Sequence, residues 1–381
     1  MSAQLPRNYL ILLGALLVLA LCLRLYRVGT YGIYFDEKST LLISQGVCLE
    51  GANQKDVFSK PYFTPAEFWK PKTYSDFVEA NIRGDIGNSP SYYGFLMVWL
   101  SIFGLSDTAL RMPSVIFSTL IVWLLFVFVR RHFRPEDASR PGASGSLRSN
   151  TVDTLALTSA AIATIEPFFV SYSHIARNYS MSFFLTLLAT HLFLLILERT
   201  QQAPGRFARS RKRPVVWLYL AYGLTFVTAL LSHYLTITVF LCHGLYALLY
   251  LRNGRAWVQF AVTALVGLGL VSLWFRYGGG TYTFYILEEQ KNFYRNLALT
   301  NPLHNGFGII LPATIPNILT RAVPVFSDLF IITNGLSAVL GGIRNSLLAL
   351  GLGTVATLVM HRYFLVPKPP IWVYVAVPLL L

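Results

Sequence analysis

Residues 8–25 read NYLILLGALLVLALCLRL, and no charged side chain occurs in this block before Arg24. A helix needs roughly 17 to 25 predominantly apolar residues to cross a bilayer, so the block predicts a transmembrane helix. Arg7 precedes it, as a basic residue precedes the apolar part of a signal peptide, but no small-residue cleavage motif follows. The block is therefore interpreted as a retained first span.

Similar apolar blocks recur along the chain. Hydrophobic residues make up 54% of the 381 positions and charged residues only 13%, which is too little polar surface for a water-soluble globule of this size. Hydropathy predicts spans near 8–25, 108–129, 152–168, 179–197, 214–232, 235–251, 256–275 and 346–360, with a ninth from 371. The predicted fold class is an all-α polytopic membrane protein with at least eight or nine transmembrane helices.

The net charge of +14 lies largely in short segments between the apolar blocks. This pattern is typical of the positive-inside rule and of lipid headgroup contact, so membrane lipids rather than nucleic acid are the expected partners. With a cytoplasmic N-terminus, four basic segments fall on the cytoplasmic side. They are 130–148, 199–213, 252–255 and 362–368.

Two large segments, 26–107 and 276–345, then lie on the non-cytoplasmic side. The first contains an apolar stretch, Tyr92 to Gly104, that is too short to span and predicts an interfacial helix. The second opens with glycines 278–280, which suggest the hinge of a mobile lid. Residues 1–381 are interpreted as one transmembrane domain, and because the chain stops inside an apolar run, a further C-terminal part is expected.

The sharpest local feature is the acid pair Asp36 and Glu37, placed among aromatic residues shortly after the first span. A carboxylate at the membrane surface can gain basicity by desolvation, as a general base for a hydroxyl or amine requires. The alternative is an acid pair that stabilises a helix N-terminus. Local sequence leaves both interpretations open.

A second group occupies the outer end of the third span and the turn after it, in EPFFVSYSHIARNY, residues 166–179. Arg177 lies at the membrane boundary near His174 and Tyr179, and a planar guanidinium suits a pair of phosphate oxygens. The alternative is an arginine that extends to the interface for solvation. Asn178 begins a glycosylation sequon, which is discounted because the sequon enters a predicted span.

A third group is Ser232-His233-Tyr234 at the outer end of the fifth span. His233 can hydrogen-bond, cap a helix or bind a metal with Glu166 and His174, although their spacing matches no strong zinc signature. A divalent metal is therefore left open, and no cofactor is assigned. Two further boundary arginines, Arg83 and Arg111, are interpreted as structural.

Five short motifs occur in a characteristic order. They are Arg-Leu-Tyr-Arg with Phe-Asp-Glu in 24–37, Ser-Pro-Ser-Tyr-Tyr with Phe-Gly in 89–104, Ala-Leu-Arg-Met-Pro-Ser in 109–114, Ala-Arg-Asn-Tyr-Ser in 176–180 and Ser-His-Tyr in 232–234. The series resembles glycosyltransferase families 39 and 83 of GT-C fold, which include protein O-mannosyltransferases and lipid A aminoarabinose transferases. The likeness covers most of residues 20–250.

The resemblance implies an inverting transfer of a sugar from a polyprenyl-phosphate donor to a lipid, glycan or protein acceptor, on the periplasmic side of a bacterial inner membrane. It implies that Asp36 is the base supported by Glu37, and that Arg177 with Tyr179 contacts the donor phosphate. Further candidates for substrate contact are Glu166, His174, His233, Tyr234, Tyr92 and Tyr93.

Two departures limit the resemblance. Relatives often have Asp-Glu-Ala and Pro-Pro-Leu-Tyr-Tyr where this chain has Asp-Glu-Lys-Ser and Ser-Pro-Ser-Tyr-Tyr, so the sugar and the acceptor cannot be carried over. The alternative function is a secondary transporter or lipid flippase. Transporters place ionisable residues near the midplane, whereas here Asp36, Glu37 and Arg177 flank the predicted spans.

Overall fold

A computed structural model describes residues 6–135, 145–201, 216–303 and 310–322, with Gly351, Val355, Phe364 and Leu365. The helices are α1 (Arg7–Leu25), α2 (Phe35–Ser44), α3 (Lys55–Phe58), α4 (Pro65–Phe68), α5 (Tyr74–Asp85), α6 (Pro90–Phe103), α7 (Asp107–His132), α8 (Gly145–Ile165), α9 (Pro167–Ser173), α10 (Tyr179–Gln201), α11 (Val216–Ser232), α12 (Ile237–Tyr250), α13 (Gly254–Tyr277) and α14 (Tyr282–Thr300). A 3₁₀ turn, Tyr234–Thr236, precedes α12. Strand β1 (Arg134–Pro135) pairs antiparallel with β2 (Phe364–Leu365).

The prediction of a helical membrane protein is confirmed, with fewer spans than expected. Within the described residues four helices are long and apolar enough to cross a bilayer, namely α1, α7, α10 and α13, and the bent pair of α8 and α9 makes up to five. Helices α11 and α12 have only 17 and 14 residues. The predicted spans at 346–360 and from 371 lie outside the described residues, apart from isolated positions.

The third predicted span, 152–168, is broken near its end, at Glu166. A residue before proline is disfavoured in the α region, and Glu166, which precedes Pro167, adopts an extended conformation with ψ of 121°. Helix α8 therefore ends at Ile165, and α9 continues at an angle of 53°. The break exposes the last carbonyl groups of α8, which have no partners within the helix.

Arg24 satisfies those carbonyl groups. Its side chain is 0% exposed and donates to the carbonyl oxygens of Ala163 at 2.9 Å and Thr164 at 3.2 Å. Its Nε donates to Ser118 Oγ on α7 at 2.7 Å. One buried guanidinium thus joins α1, α7 and the end of α8, and it is compensated by carbonyl dipoles.

Helix α7 is the centre of the bundle and packs against α1, α8 and α10. Half of its most apolar window is buried, compared with 17% for α1 and 22% for α13. On α1 the apolar side chains of Leu10, Ile11 and Val18 are exposed. A bilayer solvates such side chains, so this distribution of burial is that of a helix bundle surrounded by lipid.

The two ends of α7 differ in chemistry. At the end near His132, Arg130 forms an ion pair with Asp153 at 2.7 Å and Arg131 pairs with Glu198. The pairing of β1 with β2 brings Phe364 and Leu365 to the same end. This grouping agrees with the predicted placement of the basic segments on one side. At the other end, α6 packs against α7, and Glu37 of α2 pairs with Arg111 of α7. Helix α6 has 14 residues, which agrees with the predicted short helix, and its interfacial position stays a prediction.

The predicted sidedness can be tested by cysteine accessibility in a variant that lacks the three native cysteines. We expect Asn292→Cys, on exposed helix α14, to react with an impermeant maleimide in intact cells. Ser210→Cys, in the basic segment 199–213, should react only after permeabilisation, because positive segments are retained in the cytoplasm. Equal labelling of both cysteines in intact cells would contradict this topology.

Candidate active site

Glu37 is the buried member of the acid pair. It lies in the first turn of α2 and is 0% exposed. Its Oε1 accepts hydrogen bonds from Arg111 Nε and from the backbone N–H of Ala176, both at 2.8 Å, and its Oε2 accepts from Arg111 Nη2 at 2.6 Å. Both oxygens are therefore occupied by protein donors. Catalytic support of Asp36 by Glu37 stays a prediction, and the contacts show that Glu37 joins α2 to Arg111 and to Ala176.

Arg111 also binds the loop between α1 and α2. Beyond Glu37, it donates to the carbonyl oxygens of Val28 and Tyr31 at 2.8 Å and of Gly32 at 3.1 Å. All five N–H donors of the guanidinium are used, so the loop between α1 and α2 is fixed to the start of α7. The structural interpretation of Arg111 agrees with these contacts.

Asp36 has the opposite environment. Its side chain is exposed, and among the described residues no hydrogen bond or ion pair engages its carboxylate. Burial, followed by the negative charges of Asp36 and Glu37, raises the pKa of neighbouring Tyr34 to about 12, while Arg177 acts in the opposite direction. The geometric link between Asp36 and Arg177 is the hydrogen bond of 2.8 Å from the N–H of Ala176 to Glu37, because Ala176 precedes Arg177 and Glu37 follows Asp36.

Arg177 is held loosely for a half-buried cation. Its Nη1 lies 3.4 Å from both Thr40 Oγ1 and Tyr93 Oη, at the long limit of a hydrogen bond, and its buried Nε has no hydrogen-bond partner among the described residues. Burial alone would lower the pKa of Arg177, but Tyr93 and Asp85 outweigh it and the pKa is raised. The residue therefore stays charged and retains donor capacity for an anion.

Asp85 is a site residue that the sequence analysis missed. It ends α5, and Tyr93 Oη donates to its carboxylate at 2.7 Å. Burial raises the pKa of Asp85, although the bond from Tyr93 and the charge of Arg177 both act to lower it. The only local signal was its position four residues before the Ser-Pro-Ser-Tyr-Tyr motif of 89–93. Asp85, Tyr93 and Arg177 form a continuous chain of polar contacts.

The predicted metal-binding group does not assemble. Glu166 caps α9 by accepting from the N–H of Phe169 at 3.0 Å, and His233 Nδ1 accepts from the N–H of Leu235 at 3.2 Å. His174 has a buried Nε2 with no hydrogen-bond partner within the described ranges. Across the part of the chain that the structure describes, no three His, Cys, Asp or Glu side chains could hold one ion. The capping interpretation of His233 is confirmed.

The four tyrosines that were predicted to contact the donor or the substrate lie in different surroundings. Tyr92 and Tyr93 are both 1% exposed and line the inner wall of the site. Tyr234 Oη donates to the carbonyl of Gly87 at 2.6 Å, which makes it a support for the turn before α6. Tyr179 is exposed at the rim, with its ring 6.5 Å from that of His233.

Asn178 is buried between two hydrogen-bond partners. Its Nδ2 donates to Ser89 Oγ at 2.8 Å and to the carbonyl of Ser232 at 2.6 Å. This burial agrees with discounting the sequon, because a glycosylated asparagine needs an exposed amide.

An apolar groove of about 360 Å³ lies between α7, α9, α10 and α12, and Tyr179, two residues after Arg177, lines it. His233 lines the same groove. Its lining is completed by Ile121, Phe168, Phe169, Tyr172, Ser180, Ser182, Phe183, Thr186, Leu235, Thr236 and Val239. From Tyr179 to Thr186 the groove follows α10 for roughly 10 Å, at about 1.5 Å per residue. The groove is therefore a mostly apolar recess that begins at the first turn of α10.

Searches for related proteins returned no match to a family model, to a curated protein or to a solved structure. The function must therefore be argued from the geometry of this site and from the motifs of the sequence.

Proposed function

We propose that this chain is a membrane-embedded glycosyltransferase that moves a sugar from a polyprenyl-phosphate carrier to an acceptor, with inversion at the anomeric carbon. One juxtaposition supports the proposal above all. The exposed carboxylate of Asp36 and the guanidinium of Arg177 belong to residues next to Glu37 and Ala176, which are joined by a hydrogen bond of 2.8 Å, and Tyr179, two residues after Arg177, lines an apolar groove. A lipid-linked, phosphate-activated substrate needs these three elements together.

The groove suits the lipid part of the donor. Its volume falls in the range of about 300–1,000 Å³ that is typical of ligand pockets. Phe169, Phe183 and Val239 provide apolar walls, so a hydrocarbon chain that enters from the bilayer loses no favourable solvation. The first isoprene units of a polyprenyl chain would lie here, with the phosphate at the end near Tyr179.

The phosphate would then lie against Arg177. Its Nε is buried and has no partner in the described part of the chain, and its Nη1 contacts are long, so a phosphate oxygen can replace weak interactions with charge-assisted ones. Helix α10 begins two residues later, and the partial positive charge of its N-terminus adds to the attraction for an anion.

The reaction follows from this placement. Asp36 accepts the proton of an acceptor hydroxyl or amine, whose lone pair attacks the anomeric carbon. The bond from that carbon to the phosphate oxygen breaks, and polyprenyl phosphate leaves with the electron pair, stabilised by Arg177. Because the phosphate is already a good leaving group, the protein mainly positions substrates and balances charge.

The wider architecture belongs to the same proposal. We propose a GT-C-type bundle of eight or nine spans for the whole chain, with the site on the non-cytoplasmic face of a bacterial inner membrane. Asp36, Asp85 and Arg177 all lie at the end of α7 opposite the arginine pairs of Arg130 and Arg131, as this orientation requires.

Arg177→Ala should weaken use of the donor by roughly tenfold or more, because a charge-assisted hydrogen bond contributes about 1.5–3 kcal/mol. Lysine at this position should restore only part of the effect, since it lacks the planar pair of donors. The measurement is the Michaelis constant and turnover with a polyprenyl-phosphate sugar in detergent.

Arg83→Ala is the matched control, because Arg83 is another arginine on the predicted external side but pairs with exposed Glu50 and Glu79. It should behave like the unaltered protein. Unchanged donor kinetics in Arg177→Ala would remove this residue from the site.

A lipid flippase is the second candidate, favoured by the same groove, since an apolar channel at the bundle surface also suits a lipid in transit. Transfer and transport differ in their product. Incubation with labelled donor and a crude envelope acceptor fraction forms a new glycoconjugate only with the transferase. Movement of the intact labelled lipid across proteoliposomes, with no bond broken, would favour the flippase.

A further inference from the structure

The turn from Ile86 to Ser89, which follows Asp85, is strained. Three of its residues have positive φ: +50° at Ile86, +80° at Gly87 and +59° at Ser89. Glycine accepts this region without cost, but a β-branched isoleucine there is a true outlier. Strained backbone of this kind persists only where surrounding contacts over-determine it, and it is concentrated at functional sites.

Those contacts come from distant parts of the chain. Tyr234 Oη and Trp274 Nε1 both donate to the carbonyl of Gly87, at 2.6 and 2.9 Å, and Trp274 Nε1 also lies 3.2 Å from Tyr234 Oη. Thr283, at the start of α14, donates to the carbonyl of Ile86. We call Tyr234, Trp274 and Thr283 the turn clamp.

Glycine residues allow the backbone of the turn and the backbone of residues 278–280 to come into close contact. A Cβ on Gly87 would lie 2.7 Å from the carbonyl oxygen of Gly279, and a Cβ on Gly279 would lie 2.3 Å from the Ile82 side chain. The backbone of the run 278–280 is therefore pressed against the turn. The run that suggested a lid hinge is, in the structure, a packing surface that brings Trp274 and Thr283 into reach.

We infer that Trp274 and Tyr234 are positioning residues that hold the strained turn so that the Asp85 carboxylate stays against Tyr93 and faces Arg177. The inference rests on the proposed function, because it assigns Asp85 to the same active site. It predicts that loosening the clamp lowers turnover while donor affinity, which depends on Arg177 and the groove, is kept.

Trp274→Phe tests this inference, since it keeps the ring and removes the donor to Gly87. Loss of hydrogen bonds of this kind should reduce turnover roughly tenfold with an unchanged donor Michaelis constant. Hydrogen exchange of the peptide covering 81–93 should become faster. Trp257→Phe, on the same helix α13 but outside the clamp, should change neither quantity.

A second variant separates positioning from general destabilisation. Ile86→Asn places at φ of +50° a residue that tolerates this conformation, so the turn should keep its shape without the clamp. The double variant Trp274→Phe with Ile86→Asn should therefore recover most of the lost turnover. If recovery fails, or if Trp257→Phe has the same effect as Trp274→Phe, the clamp does not position Asp85.

Different results would overturn the inference about Asp85 and the proposed glycosyltransferase function. Normal turnover in Asp85→Asn, with loss of turnover in Asp36→Asn, would overturn this inference and leave the glycosyltransferase proposal standing. Absence of transfer in the unaltered protein would overturn the proposed function, while the exchange measurement would still report whether Trp274 holds the turn.

Discussion

Replacement of Asp36 by asparagine is expected to lower turnover by about 10²- to 10⁴-fold, the usual contribution of a general base. Asp36 is exposed and its carboxylate has no partner among the described residues, so the substitution breaks no contact that stabilises the fold. Folding, measured by thermal melting in detergent, and donor binding should both survive. The measurement is turnover with a polyprenyl-phosphate sugar under saturating donor.

Asp107→Asn is a suitable control for this experiment, because Asp107 is an acid at the same end of the bundle, in the first turn of α7. Its loss should leave turnover within about twofold, since a helix N-terminal acid contributes only about 0.3–1 kcal/mol to stability. Near-normal turnover in a folded Asp36→Asn protein would refute the catalytic interpretation and return Asp36 to the role of a helix-start residue.

Glu37→Gln is expected to act on folding rather than on chemistry. The substitution leaves Arg111 charged and buried without its counter-ion, and breaking a buried pair from one side costs about 3–5 kcal/mol. We expect a sharply lower melting temperature and little folded protein in membranes. Turnover per folded molecule should fall far less than in Asp36→Asn.

The interaction energy between Glu37 and Arg111 can be measured with a double-mutant cycle of Glu37→Gln, Arg111→Gln and their combination. Because the double variant carries no uncompensated charge, it should be more stable than the sum of the two single effects implies. Additive losses would show that Glu37 and Arg111 stabilise the fold independently, despite their separation of 2.6 Å.

Local sequence predicted the elements that depend on composition. The long apolar blocks of α1, α7, α10 and α13 are helices, and the short stretch at 92–104 is the separate helix α6. It did not predict that α8 would end at Ile165, although Pro167 was visible, because a proline can kink a membrane helix without ending it. That outcome depends on a partner for the freed carbonyls, which Arg24 supplies from far away.

The candidate site was predictable only in part, for the same reason. Asp36 and Arg177 were identified from motifs, but the adjacent residues Asp36 and Glu37 look alike locally. Their separate environments are set by Arg111, 74 residues beyond Glu37. Asp85 was missed because its significance comes from Tyr93 and Arg177, which only the packing of α5, α6 and α10 brings near.

The buried guanidinium of Arg24 has a consequence for biosynthesis. The first span is made with Arg24 near its outer end, but the carbonyl of Thr164 that it needs lies 140 residues later in the chain. At a synthesis rate of about 5–20 residues per second, roughly 7 to 28 seconds pass before this acceptor has been made. During that interval Arg24 must be solvated by headgroups, by water or by the insertion machinery. The contact of the first helix with α8 therefore forms only after the third predicted span has been synthesised.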